Sequence, residues 1–168
     1  MSTDWKALLD EETVKKYTKP IEINQDWVSY RFPPNPYGAS LKPSRYNVEG
    51  QSGFYLASGV KCAQAEVKNH EFRDLDKITP QTIYAFAVIS CATEQNLKDV
   101  VMTAQEYGGH SVCQELSQHL TMSQGLTGIF YQSYQMQQIG DTGYCVCVLP
   151  KEDQKIDASF MQPYPKQA

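Results

Sequence analysis

The sequence predicts an α+β domain built on a mixed sheet, and three observations carry that prediction. Short apolar runs bounded by Gly, Ser, Pro and Asn clusters fall at residues 24–32, 53–57, 82–89, 127–133 and 143–149, the pattern of strands divided by turns. Between them, some three segments place apolar residues at spacings of three and four, the stripe of a half-buried helix. The 168 residues have the length of one domain that buries a core without disulfides or metals. No linker or internal repeat divides them, so residues 1–168 read as a single domain.

Taken in order, Asp4 is placed to cap a first helix, with Trp5, Leu8 and Leu9 on one side before the charged run Asp10-Glu11-Glu12. Ile21 to Phe32 reads as extended, with Trp27, Ser29 and Arg31 alternating against Val28, Tyr30 and Phe32, which puts Arg31 near a strand end. Pro33-Pro34-Asn35-Pro36 cannot continue a central strand. The irregular loop they start runs to Pro43 and is placed to lid a site. Phe54 to Ala57 is a strand with Tyr55 inside it. Ser58 follows as a cap for a helix whose apolar positions are Val60, Ala63 and Val67. Glu66 is the anomaly of that helix. It lies three residues from Ala63 and four from Cys62, beside the buried stripe, where a carboxylate must find partners or change its pKa. Read as an ordinary boundary residue, it pairs with Lys61 or Lys68; read as chemistry, it is a catalytic carboxylate.

Residues 71–80 are polar and charge-dense, and Thr82 to Ile89 forms a buried strand expected beside the Tyr55 strand. Residues 97–107 have no decisive pattern, and Gly108-Gly109 marks a break. Ser111 and Gln114 have capping-box spacing for a helix carrying Val112, Leu116 and Leu120, with Gly125 beyond its end. Strands at Thr127 to Ser133 and Tyr144 to Val148 are joined by Gln-rich sequence with Gly140-Asp141-Thr142-Gly143 as the turn. The polar tail from Lys151 reads as a loosely held edge.

Composition narrows the function. With 15 basic and 19 acidic residues the net charge is −4, and no basic block offers a footprint for nucleic acid. No apolar run is long enough to span a bilayer, and Met1 to Lys6 has no apolar signal core, so a cytoplasmic protein is expected. Five cysteines, odd in number and with no Cys-x-x-Cys pair, argue against a disulfide framework. Cys145 and Cys147 share a strand face and read as small core residues. The histidines are scattered, and no metal site is expected.

The ordered set Tyr30-Arg31-Phe32, Ser44-Arg45-Tyr46-Asn47, Phe54-Tyr55-Leu56-Ala57, Ala65-Glu66-Val67 and Gly125 to Ser133, followed by Gly140 and the run Tyr144 to Leu149, resembles the RES-domain family, named for its Arg, Glu and Ser. The match spans about residues 28–149. Family members often carry Gly before the second Arg, where this chain has the more restricted Ser44. The resemblance implies an ADP-ribosyltransferase-like fold with an NAD cleft, and NAD as substrate, cleaved between nicotinamide and ribose, rather than as cofactor. It also implies a separately encoded antitoxin or immunity protein as partner.

The chemistry makes its own demands. Positive charge builds on the ribose as nicotinamide leaves. A fixed carboxylate, here Glu66, stabilises that charge. Arg31 and Arg45 offer forked donors to the pyrophosphate, with Tyr46 and Asn47 shaping the turn. Tyr55 stacks on or orients the nicotinamide, and Ser133 holds Glu66 or the ribose. Three functions are expected to compete: an NAD-degrading toxin using water or phosphate, an ADP-ribosyltransferase with a macromolecular acceptor, and a non-catalytic binding module of the same fold.

Overall fold

A computed structural model describes residues 5–30, 45–48, 53–67, 73–74, 80–93, 95, 110–121, 125–149 and 162–163. Asp4, Arg31, the 33–43 loop, Ser44, residues 97–107, Gly108-Gly109 and most of the tail lie outside them. The observed class is α+β, with a mixed sheet flanked by helices.

Two short helices open the described chain, α1 at Trp5–Leu8 and α2 at Glu11–Tyr17. The acidic run does not close the first helix; it starts the second. Asp10 is the N-cap of α2, its side chain accepting from Thr13 N at 2.8 Å, and Glu11 and Glu12 lie in the first turn with Lys15 and Lys16 in the last. Both placements complement the helix dipole. The chain then enters β1, Thr18–Ile23, which starts earlier than the expected extended segment. An Asx turn splits that segment: Asn24 Oδ1 accepts from Asp26 N at 2.9 Å, and β2 is only Val28–Ser29.

The remaining elements are β3 (Phe54–Ala57), α3 (Val60–Val67), β4 (Arg73–Asp74), β5 (Gln81–Ala87), α4 (Val88–Cys91), α5 (His110–Leu120), β6 (Gly128–Gln132), α6 (Tyr134–Gln138), β7 (Tyr144–Val148) and β8 (Gln162–Pro163). The eight strands join in the order β1-β5-β6-β7-β3-β2-β4-β8. Every pair is antiparallel except β5 with β6. The 82–89 strand is therefore not beside the Tyr55 strand, because β6 and β7 stand between them. It also ends at Ala87, and Val88 and Ile89 turn into α4. Pro20 is accommodated because β1 is the outermost strand among the described residues, where a missing N–H costs no ladder bond. Two residues of the expected loose tail, Gln162 and Pro163, pair with β4.

Alternation along the strands sorts the core into two faces. One face presents Tyr55, Ala57, Phe86, Ile129, Tyr131, Cys145 and Cys147 to the helices, which contribute Val14, Cys62, Ala63, Val67, Cys113, Leu116, Leu120 and Met136. The opposite face carries Phe54, Leu56, Ile83, Ala85, Phe130, Val146 and Val148. Among the described residues no helix is long and apolar enough to cross a membrane.

Candidate active site

The site lies on the helix-covered face, and the strand register assembles its floor. Ala57 of β3 pairs with Cys145 of β7, which pairs in turn with Tyr131 of β6; the row two residues away is Tyr55, Cys147 and Ile129. Small thiols on the middle strand thus separate the aromatic rings of its two neighbours. Ser133 follows Tyr131 by two residues, just beyond the end of β6.

Helix α3 brings Glu66 to that floor. Its neighbours Cys62, Ala63 and Val67 are buried, while Glu66 itself is half-buried at the margin of the stripe, as its spacing predicts. The Ser133 hydroxyl donates to Glu66 Oε1 at 2.5 Å. The same oxygen of Ser133 accepts from Met136 N at 3.2 Å, because Ser133 is the N-cap of α6. With one lone pair engaged by the helix N-terminus, the hydroxyl proton is aimed at the carboxylate. The Cys145 thiol is a second donor to Glu66 Oε1, at 3.7 Å. Both donors converge on Oε1, so Oε2 has none among the described residues. Lys61 does not pair with Glu66; its partner is Asp141 in the α6–β7 turn.

Helix α6 is brief because it is capped at both ends. Gly140 takes a left-handed φ of 72°. Its N–H bonds Gln137 O at 3.0 Å and Asp141 N–H bonds Met136 O at 3.0 Å, the paired bonds of a Schellman cap. The Gln-rich joint expected to be only a connection is thus the element that fixes Ser133.

Tyr30, Tyr46, Tyr55 and Tyr131 form the wall, the rings of Tyr30 and Tyr55 lying 6.1 Å apart. Tyr30 and Tyr131 share a hydroxyl contact of 3.0 Å, and the Tyr46 ring lies 4.9 Å from that of Tyr131. Burial pushes the hydroxyls of Tyr30, Tyr46 and Tyr131 well above the ordinary tyrosine pKa; the neighbouring Cys145 and Glu66 add to this for Tyr30 and Tyr131. They act as neutral groups. Arg45 stands over this wall, its Cζ 6.0 Å from the Tyr131 ring centroid, a cation-π distance. Burial opposes its charge, but the net direction of its pKa is upward, and Glu66 is the neighbouring group that carries negative charge.

Tyr55 is a buried strand residue whose hydroxyl accepts from Tyr46 N at 2.9 Å and donates to Asn47 Oδ1 at 2.7 Å. It clamps residues 45–47 against the sheet and so positions Arg45. Asn47 in turn fills the space beside Gly53, where a Cβ would fall 2.8 Å from Asn47 Cγ and Oδ1. Gly53→Ala is accordingly expected to displace Asn47 and destabilise the protein by about 1–3 kcal/mol, read as a lower midpoint in thermal unfolding.

Of the sequence-predicted residues, Glu66 and Ser133 meet directly, Tyr55, Tyr46 and Asn47 form one hydrogen-bonded group, and Arg45 stacks above Tyr131. Arg31 lies outside the described residues. One local expectation is corrected: the Ser58 hydroxyl does not cap α3 but accepts from Tyr144 N at 3.0 Å, tying α3 to β7. Sequence reasoning missed Tyr30, Tyr131 and Cys145 as neighbours of Glu66. The available signal was parity, since Tyr131 and Ser133 are two residues apart and leave β6 on one face.

Among curated proteins none matches the chain. The family model described as the RES domain matches residues 20–166, spanning every strand from β2 to β8 together with the Arg45, Glu66 and Ser133 positions. The chain belongs to the RES domain family.

Proposed function

We propose that this protein cleaves the bond between nicotinamide and ribose in NAD, with Glu66 stabilising the ribosyl cation. The observation that carries the reading is the Ser133 to Glu66 hydrogen bond of 2.5 Å, which fixes a half-buried carboxylate on one oxygen and leaves the other for substrate. The bond from ribose C1′ to the pyridinium nitrogen breaks with its electron pair going to nitrogen, so nicotinamide leaves neutral. The cation left on C1′ is stabilised by the fixed negative charge. Water then adds to C1′, yielding ADP-ribose and a proton; phosphate in its place yields ADP-ribose 1″-phosphate. Serine 133 supplies no atom to the product; it limits the carboxylate's rotation so that little reorganisation is needed.

Arg45, with Arg31, is assigned to the pyrophosphate. A guanidinium laid on an aromatic face keeps its donor edge free for bidentate contacts. The wholly buried Tyr46 hydroxyl, without a hydrogen-bond partner among the described residues, is a polar group that a bound ligand or water would satisfy. Arg45→Ala is expected to raise KM for NAD by about tenfold, the effect of losing a charged hydrogen bond, with a smaller change in kcat. Steady-state kinetics at varied NAD check this; an unchanged KM removes Arg45 from binding.

The experiment for the reaction type is product identification. Purified protein is incubated with NAD with and without phosphate, and the products are separated. ADP-ribose in both mixtures indicates hydrolysis, and ADP-ribose 1″-phosphate only with phosphate indicates phosphorolysis. Transfer of label from NAD to material in a cell lysate, without free ADP-ribose, would instead support an ADP-ribosyltransferase using the same carboxylate. In the proposed setting the protein depletes NAD in the cytoplasm and is held in check by an antitoxin or immunity protein.

A further inference from the structure

Cys62 and Cys145 are 83 residues apart in sequence, on α3 and β7, yet their Sγ atoms lie 4.0 Å apart. Both are free and buried. The Cys62 sulfur is confined: a Cβ on Gly143 would fall 2.8 Å from it, so it occupies the room that glycine leaves and is held toward β7. Its thiol also reaches Tyr144 O at 3.7 Å. Cys145 is the thiol that donates to Glu66 Oε1, and Cys62 and Glu66 are four residues apart on one face of α3. The pair is therefore linked to the carboxylate twice, through the hydrogen bond from Cys145 and through the helix that carries both Cys62 and Glu66.

We propose that Cys62 and Cys145 are a modification site, a dithiol that a peroxide oxidises to a disulfide, and that this modification turns down the Glu66 site. The second half rests on the NAD-cleaving reading above. The two thiols are unequal. The contact with the Cys145 sulfur is the largest influence on Cys62 and holds its pKa below the ordinary thiol value, whereas burial pushes that of Cys145 well above it. Cys62 is thus the attacking sulfur and Cys145 the resolving one. The Cys62 thiolate takes one oxygen of hydrogen peroxide as the O–O bond breaks, giving a sulfenic acid and, with the thiol's proton, one water. The Cys145 sulfur then displaces the sulfenic hydroxyl from Cys62, which leaves with the Cys145 proton as a second water. Two thiols and one peroxide become one disulfide and two waters, with the peroxide reduced by two electrons.

Closing the 4.0 Å separation to a bond of about 2.05 Å draws α3 toward β7. It also removes the S–H that Glu66 Oε1 receives. Displacement of a catalytic group by about 1 Å costs on the order of 100-fold, which is the expected loss.

The test compares full-length protein kept in dithiothreitol with protein treated with hydrogen peroxide. Peptide mass mapping without reduction reads the cross-link, and nicotinamide release reads the site. Hydrogen exchange across Val60–Val67 reads the helix without reference to activity. The expected result is a linked Cys62–Cys145 peptide pair, altered exchange in α3 and a drop in release that dithiothreitol reverses. Cys62→Ser should keep its basal release and lose the response to peroxide. Absence of the cross-link, or a linked protein with unchanged exchange and release, overturns the proposal. Reduced protein that releases no nicotinamide counts against the NAD-cleaving reading; the cross-link and the exchange then decide whether the dithiol exists and acts on α3.

Discussion

Glu66→Gln is expected to lower kcat for nicotinamide release by about 100- to 1,000-fold, the range for removing one preorganised electrostatic group, with the fold retained. The substitution is nearly isosteric. An amide oxygen can still accept the Ser133 hydroxyl that now bonds Oε1, so packing of α3 against α6 persists while the negative charge is lost. Parallel thermal melts separate the two effects. A variant with full turnover removes Glu66 from the mechanism, and one that no longer folds makes it a structural residue.

The second large effect is expected at Ser133, because its hydroxyl has two tasks. Ser133→Ala removes the N-cap of α6, where Met136 N is received at 3.2 Å, at about 1 kcal/mol of stability. It also removes the donor to Glu66, and hydrogen bonds to charged groups are worth about 1.5–3 kcal/mol. If that bond strengthens in the transition state, kcat falls by roughly ten- to 100-fold at about 1.4 kcal/mol per factor of ten. Ser133→Thr keeps both an acceptor for the cap and a donor for the carboxylate. Recovery of both melting temperature and kcat in the threonine variant supports the dual role. Recovery of the melting temperature alone would show that the cap matters and the contact with Glu66 does not.

What was legible in the sequence follows from the range of the interactions involved. The strands β3, β6 and β7 are short apolar runs between turn residues, and the stripe of α3 is local periodicity, so all four stood within a residue or two of their observed limits. Glu66 was conspicuous because a carboxylate at the edge of a buried stripe breaks the pattern around it. Elements set by partners were not legible. Thr18–Ile23 contains Lys19, Pro20 and Glu22 and becomes a strand through six residue pairs with β5. Helix α6 has one buried residue, Met136, and exists through its two caps. The nearness of Tyr30, Tyr131 and Cys145 to Glu66 depends on strand order. That order places β7 between β3 and β6, whereas the sequence pattern alone suggests β5 beside β3. The role of Tyr55 likewise became specific only with its partners: a hydroxyl bonded to Tyr46 N and Asn47 Oδ1 points to positioning of the Arg45 segment.

The central claim is that a carboxylate held by Ser133 cleaves the glycosidic bond of NAD. Its most direct measurement is the initial rate of nicotinamide release from NAD by purified wild-type protein beside the Glu66→Gln variant, in reducing buffer. Release by wild type, at a rate about 100- to 1,000-fold above that of the variant, is the predicted result. No release by folded wild type, or equal release by both proteins, would contradict it.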